Sequence, residues 1–352
     1  MGDLLSYSGL TTKVKAMESH LVTDSQFRDM AALETVSAAV DYLRRLPAYE
    51  GLFDNMDELS LHRSAIEQRL TLSLYEDFAK LYRFADLNQR TVLNMYFMHL
   101  EIDILKKCFR NVYGHHQLEI DLSAFQDFFN KHSHLNLEKL EAAGNIREFI
   151  AALEGSVYYE PLIHLDDMEN PTLFDYEILL DRLYFKTIWK AMDRNLDHKE
   201  KEIFIQSFGS RIDLMNLQWI YRSKKYYNLP PADIYSLLIP LNYHLNKEQT
   251  AKLAEAASLD EFFTVLKTTR YGHERYIDTT DQVNLERLTQ EVLERIYHSA
   301  IQKNPYSIAA PNSYLYFKET EIHKIITLIE SIRYRVSPED ILSNVVKLSY
   351  TP

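Results

Sequence analysis

Three carboxylic acids recur in this chain at a spacing that invites a chemical reading. Glu101, Asp213 and Glu321 each stand five residues after an aromatic side chain (Tyr96, Phe208, Tyr316), 112 and 108 residues apart, and each opens an apolar stripe of helical spacing. A carboxylate can act as general acid or base, but that work needs groups gathered at one centre. Three copies of one acid in three separate segments do not converge, so catalysis is the weakest reading of them. Two others stand. Either each acid sits near a helix N-terminus, where the macrodipole favours it by about 0.3–1 kcal/mol, or the three supply one charge per repeat to a common concave face. The bases nine residues on, Arg110 and Arg222, lie roughly 13 Å along a helix from their acids, out of reach of an ion pair.

The remaining reactive side chains are no better placed for catalysis. His115 and His116 are adjacent and point different ways, His132 and His134 lie in a polar segment, and Glu321 and His323 are too close in sequence to face one ion from a helix. None has the H-E-x-x-H spacing that puts two imidazoles and a base on one face, so no metal site is expected. The single cysteine, Cys108, falls on the apolar side of a helical stripe and reads as a buried small hydrophobe. Arg222, Lys224 and Lys225 beside Tyr226 and Tyr227 read equally as a basic–aromatic interaction site or as a solvated helix end with cations near the C-terminal dipole.

Glycine usage excludes further chemistry. The 352 residues contain 8 Gly and 10 Pro, and no two glycines are closer than seven positions (Gly2 and Gly9). A phosphate-cradling loop needs several glycines close together, so neither the P-loop nor the dinucleotide fingerprint can be written, and the G-x-S-x-G nucleophile elbow is absent too. No cofactor is expected. One cysteine allows no internal disulfide. A formal charge of −12 disfavours nucleic acid and anionic lipid as main partners. No run approaches the ~20 apolar residues of a membrane span, and the start lacks the basic and apolar regions of a signal peptide. A soluble, cytosolic protein is the base expectation.

What must position these residues is helix. Scarce Gly and Pro argue for long helices joined by short links, and apolar residues step by three and four through Leu70–Phe84 and again through Ile178, Leu179, Leu183, Tyr184, Ile188 and Trp189. Asp57 to Ser60 and Thr172 to Asp175 look like helix starts. The fold class is all-α. A second pattern shares the period of the acids: amphipathic segments ending at Leu43, Leu153 and Leu266, 110 and 113 residues apart, each followed five or six residues on by a tyrosine (Tyr49, the Tyr158–Tyr159 pair, Tyr271). Gly51, Gly155 and Gly272 fall near these ends. Leu229–Ile234 and Val336–Ile341 repeat a third landmark, with proline at a helix start. The chain begins with a closing half-unit and ends with an opening one. Three pseudo-equivalent helical lobes of about 110 residues are therefore expected, with residues 1–52 completing the C-terminal lobe, lobes at 53–160 and 161–272, and residues 273–352 opening the third.

The run Asn304–Arg333 resembles the signature end of the C-type subunits of bacterial and archaeal V/A-type ATPases, whose eukaryotic counterparts are the d-type subunits. Tyr314–Ile322 matches the tyrosine, apolar residues and K-E-x-E-I of that family, and Arg211–Arg222 is similar to its middle-lobe helix. Lys324 departs from the pattern, standing where an asparagine like Asn216 is expected. The resemblance implies a non-catalytic rotor part shaped as a funnel of three lobes, with no catalytic, cofactor or metal residues and no membrane span of its own. It would sit peripherally at the cytoplasmic face, on the proteolipid ring, and receive the tip of the central shaft, built of D- and F-type subunits. Torque would then pass between shaft and ring, in ATP-driven ion transport or in ATP synthesis. The alternatives are an unrelated soluble all-helical repeat scaffold and an all-α enzyme with an unrecognised pocket.

Overall fold

The computed structural model describes residues 2–54, 56–114, 122–168, 170–273 and 285–346, so His115 and His116 lie outside the described residues. Every regular element among them is helical. The chain opens with α1 (Gly2–Glu18), α2 (Asp24–Ala31), α3 (Val36–Arg44) and α4 (Arg63–Phe84), followed by the long α5 (Leu87–Tyr113). Four short helices come next: α6 (Ser123–His132), α7 (Leu137–Ala142), α8 (Ile146–Ala151) and α9 (Tyr159–Asp166). Two long ones, α10 (Leu173–Asn195) and α11 (His198–Arg222), precede α12 (Pro231–Leu237), α13 (Lys247–Glu255) and α14 (Leu259–Lys267). The chain ends with α15 (Leu285–Lys303), α16 (Ala309–Arg333) and α17 (Pro338–Val345).

Side chains at the helix starts fix where these elements begin. Thr172 accepts from the Asp175 amide while the Asp175 carboxylate accepts from that of Thr172, a reciprocal box that opens α10; Thr23/Gln26 and Asn246/Gln249 do the same for α2 and α13. Thr35, Asn136, Asn145, Asp197, Ser258 and Ser337 cap further helices, each worth about 1 kcal/mol. The Asp57–Ser60 start is a single 3-10 turn, Glu58–Ser60, capped by Asp57. Pro231 and Pro338 occupy first helical positions, where the missing N–H costs nothing.

The helices form two compact units, one of residues up to Leu93 together with those from Pro305 on, the other of Asn94–Asn304. In the first unit α16 is central, and α1, α2, α3, α4 and α17 all pack against it. Val14, Met30, Val40 and Leu43 from near the start of the chain share one core with Leu315, Ile325, Leu328 and Ile329 from near its end, all fully buried. Each such side chain contributes about 1.5–3 kcal/mol. In the second unit α11 plays the corresponding part, with α10, α12, α13 and α15 against it. Phe109 of α5 packs there between Phe149 of α8 and Tyr176 of α10, with ring centroids 4.4 and 5.0 Å apart.

The repeat is visible in the order of elements. The acid-bearing helices α5 and α11 are each followed by a run of short helices, α6–α9 and α12–α14. After α16, the helix that carries the third repeated acid, comes one short helix, α17. The two that would complete the series are α2 and α3, at the other end of the sequence, and they pack on α17 and α16.

Candidate functional site

The three repeated acids lie in the middle of α5, α11 and α16, at least three turns from each N-terminus. The N-terminal expectation is therefore corrected, and so is that of an open concave face. Asp213 and Glu321 are buried and Glu101 is half-buried, each turned into its own unit. What they meet there is the tyrosine of the second sequence pattern. Tyr158 donates to Glu101 Oε2 at 2.7 Å, Tyr271 to Asp213 Oδ2 at 2.8 Å and Tyr49 to Glu321 Oε1 at 2.5 Å.

Each carboxylate also grips the loop ahead of the second short helix of its repeat. Asp213 accepts the backbone N–H groups of Tyr243, His244 and Leu245 at 3.1, 2.7 and 2.9 Å. Glu101 accepts from the Ser133 hydroxyl, which in turn accepts the Leu135 N–H at 3.0 Å. Glu321 accepts the Val22 N–H at 2.5 Å. One acid thus ties a long helix to two loops, using charge-assisted bonds roughly twice as strong as neutral ones. The glycines at the unit ends shape the turns that deliver the tyrosines. Gly51 and Gly155 have φ of 76° and 82°, and a Cβ on Gly272 would stand 2.0 Å from the Leu266 carbonyl oxygen.

The electrostatics are those of a structural clasp. Burial pushes Glu101 and Asp213 above the usual carboxylate range, against the hydrogen bonds that pull them down. Burial first, and then the neighbouring carboxylate, holds the tyrosine hydroxyls Tyr49, Tyr158 and Tyr271 well above their ordinary range, so they stay protonated donors. The third clasp adds a cation. Lys318, fully buried, donates to Tyr49 Oη at 2.9 Å and to Glu321 Oε1 at 3.0 Å, with its Nζ 4.1 Å from the Tyr49 ring centroid. One turn earlier Tyr314 donates to Asp77 at 2.5 Å, and Asp77 also accepts from Lys80. The residues that carry the family resemblance, Tyr314, Lys318 and Glu321, therefore form a buried polar network inside the first unit.

The other candidates resolve individually. Cys108 is buried, and burial pushes its thiol up to about 12, far from a nucleophile's range. His132 packs against the Phe97 and Phe128 rings. The basic–aromatic segment divides. Lys224 donates to the Ala256 carbonyl at the end of α13, while Lys225 donates to the Tyr221 hydroxyl and sits over the Tyr221 and Tyr226 rings. Tyr226 and Tyr227 stand exposed on a π-turn (Ser223–Tyr227) closed by Asn228 at φ 48°. Asn216 holds the chain after α12 through two bonds to Ile239, whereas its counterpart Lys324 is half-buried on α16.

Reading the acid and tyrosine patterns apart misses their pairing. The shared period is the sequence signal that joins them. Lys318 gives no such signal, since its counterparts in the repeat are Ser210 and Met98.

No helix among the described residues is long and apolar enough to cross a membrane. Comparison with known proteins places this architecture. The model of the ATP synthase (C/AC39) subunit family matches residues 10–344. The chain is 22% identical to the A-type ATP synthase C subunit of Methanocaldococcus jannaschii, over 98% of this chain and 88% of that protein. It is 25% identical to that of Pyrococcus abyssi, over 97% and 91%, and 26% identical to that of Thermococcus kodakarensis, over 95% and 88%. The match sets aside the unrelated scaffold and the unrecognised enzyme. The chain belongs to the ATP synthase (C/AC39) subunit family, whose members are non-catalytic subunits of A/V-type rotary ATPases.

Proposed function

We propose that this chain is the rotor coupling piece of an A/V-type ATPase, joining the central shaft to the membrane proteolipid ring. The family match over residues 10–344 carries the reading. In this proposal the three repeats are equivalent lobes bounded near residues 52, 160 and 272, arranged as a funnel around one axis. The funnel sits at the cytoplasmic face of the ring and receives D- and F-type shaft subunits.

A part that passes torque must deform little under load. Close-packed helical cores resist deformation, and a carboxylate that ties each long helix to two loops opposes the sliding of one element past another. The network around Lys318 and Glu321 joins residues 269 and 272 positions apart, so both ends of the chain are held in one body. The charge of −12 suits basic loops on shaft or ring, through complementary fields that speed and orient docking.

Affinity purification of the tagged chain from gently solubilised membranes tests the assembly. Recovery of ATPase head and shaft subunits with a proteolipid ring is expected. Recovery of the chain alone, with the ATPase intact in the unbound fraction, would contradict it.

A further inference from the structure

The repeat built on α11 contains a feature that neither its fold nor a coupling role requires. Between α11, α15 and the turns at 243–244 and 270–271, the second unit opens a cleft of about 460 Å³, within the range of small-molecule sites. Its walls carry the cations Arg270, Arg295 and Lys303, the imidazole of His244 and the hydroxyl groups of Ser210 and Ser299. No carboxylate lines it among the described residues, in a chain of net charge −12. The cleft wall is therefore cationic where the chain as a whole is anionic. Burial and the Arg270 guanidinium, 3.4 Å from its ring nitrogen, lower the pKa of His244.

The repeat supplies an internal control. Arg270 immediately precedes the clasp tyrosine Tyr271, and the residues preceding Tyr158 and Tyr49 are Val157 and Ala48. Two copies of the same turn are thus built without a cation, so folding does not ask for one at position 270. The cleft walls are also held in place. Asp213 fixes the 243–245 loop through three backbone bonds and fixes Tyr271 through its hydroxyl. Tyr243 packs against Gly209, where an added Cβ would stand 2.5 Å from its ring. A concave site lined by cations, with no acid among the described residues of its wall and with fixed sides, concentrates field on an anion. Guanidinium groups are matched to phosphate oxygens in geometry as well as in charge.

We infer that this cleft is a binding site for a small phosphate-bearing anion with at least two phosphoryl groups. Cations enter the cleft from the 270 turn and from Arg295 and Lys303, eight residues and about 12 Å apart along α15, so one phosphoryl group cannot meet them all, and the cleft volume suits a pyrophosphate or the phosphate chain of a nucleotide. The inference is independent of the coupling role.

Calorimetric titration of the full chain with inorganic phosphate, pyrophosphate, tripolyphosphate and ATP tests it. One saturable site for pyrophosphate and ATP is expected, with weaker binding of phosphate and loss of affinity as salt rises. ATP binding no tighter than tripolyphosphate would assign the contact to the phosphates alone, and tighter binding would add the base; either result supports a phosphate site. The exposed pair Arg270→Ala/Lys303→Ala should weaken binding at least tenfold without lowering the melting temperature, and Arg270→Gln alone by several-fold. Lys225→Ala, on a basic patch outside the cleft, should leave it unchanged. Absence of saturable binding by all the phosphates, or equal losses in the Lys225 variant, overturns the assignment. So does a cleft variant that impairs recovery of partner subunits while phosphate binding is unaffected, which would make the cleft a protein contact.

Discussion

The clasp on α16 and the clasp on α11 occupy equivalent places in the repeat, yet they satisfy their carboxylates by different means. Asp213 is surrounded by three backbone N–H groups and a tyrosine, all donors supplied by the fold itself. Glu321 has one backbone N–H, a tyrosine and the buried ammonium of Lys318. Backbone donors neutralise an anion without taking a second charge out of water. A buried ion pair costs several kcal/mol of desolvation per ion and recovers it only when intact. The α11 clasp should therefore tolerate the loss of one partner, whereas the α16 clasp should fail sharply. The brittle arrangement is the one that joins the two ends of the chain.

The largest expected effect is at Lys318. Lys318→Met leaves Glu321 buried without its cation and should cost about 3–5 kcal/mol, read from denaturant unfolding. Adding Glu321→Leu should recover much of that loss. If Lys318→Met costs no more than an exposed lysine substitution, the contrast between the two clasps collapses.

Next come the tyrosines. Tyr49→Phe and Tyr271→Phe each delete one hydroxyl from a buried carboxylate. The first should cost about 2–3 kcal/mol, because Lys318 loses a partner as well, and the second about 1 kcal/mol, because three N–H donors remain. Equal costs would mean that backbone donors do not buffer the Asp213 clasp.

The smallest effect is at Glu101, the least buried of the three acids, and it is best seen through pH. Burial raises its folded-state pKa above the unfolded value, so the folded state binds the proton more tightly. Stability from this group is present below the unfolded pKa and is lost as pH rises through the folded one. Glu101→Gln should therefore lie within about 1 kcal/mol of the parent at pH 7. The parent should gain on the variant as pH falls from 7 toward the unfolded carboxylate range, then level off. A parent that loses ground on acidification would contradict the assigned shift.

Much of this fold is legible in the chain. Apolar periodicity locates the long helices, while Thr172/Asp175, Pro231 and Pro338 mark helix starts through purely local chemistry. Leu43, Leu153 and Leu266, which end the amphipathic segments, are all buried to 1% exposure or less. The clasps are less legible because they are long-range. Tyr49 and Glu321 lie 272 residues apart, and nothing near either residue says that the other is there. Helix-dipole reasoning treats each acid as belonging to its own helix alone and so puts it at an N-terminus. Burial of these acids is decided by packing between elements, which only the common period of acid and tyrosine encodes. The cleft in the second unit is least legible, since Gln206, His244, Arg270 and Lys303 share no sequence pattern.

The central claim is that this chain passes torque between shaft and ring, and ion transport in its absence tests that most directly. Membranes that lack only this chain should still assemble rings, and the soluble head should still hydrolyse ATP. ATP should build no ion gradient across vesicles made from them, and adding back the full chain should restore it. A gradient of undiminished size without the chain would contradict the account.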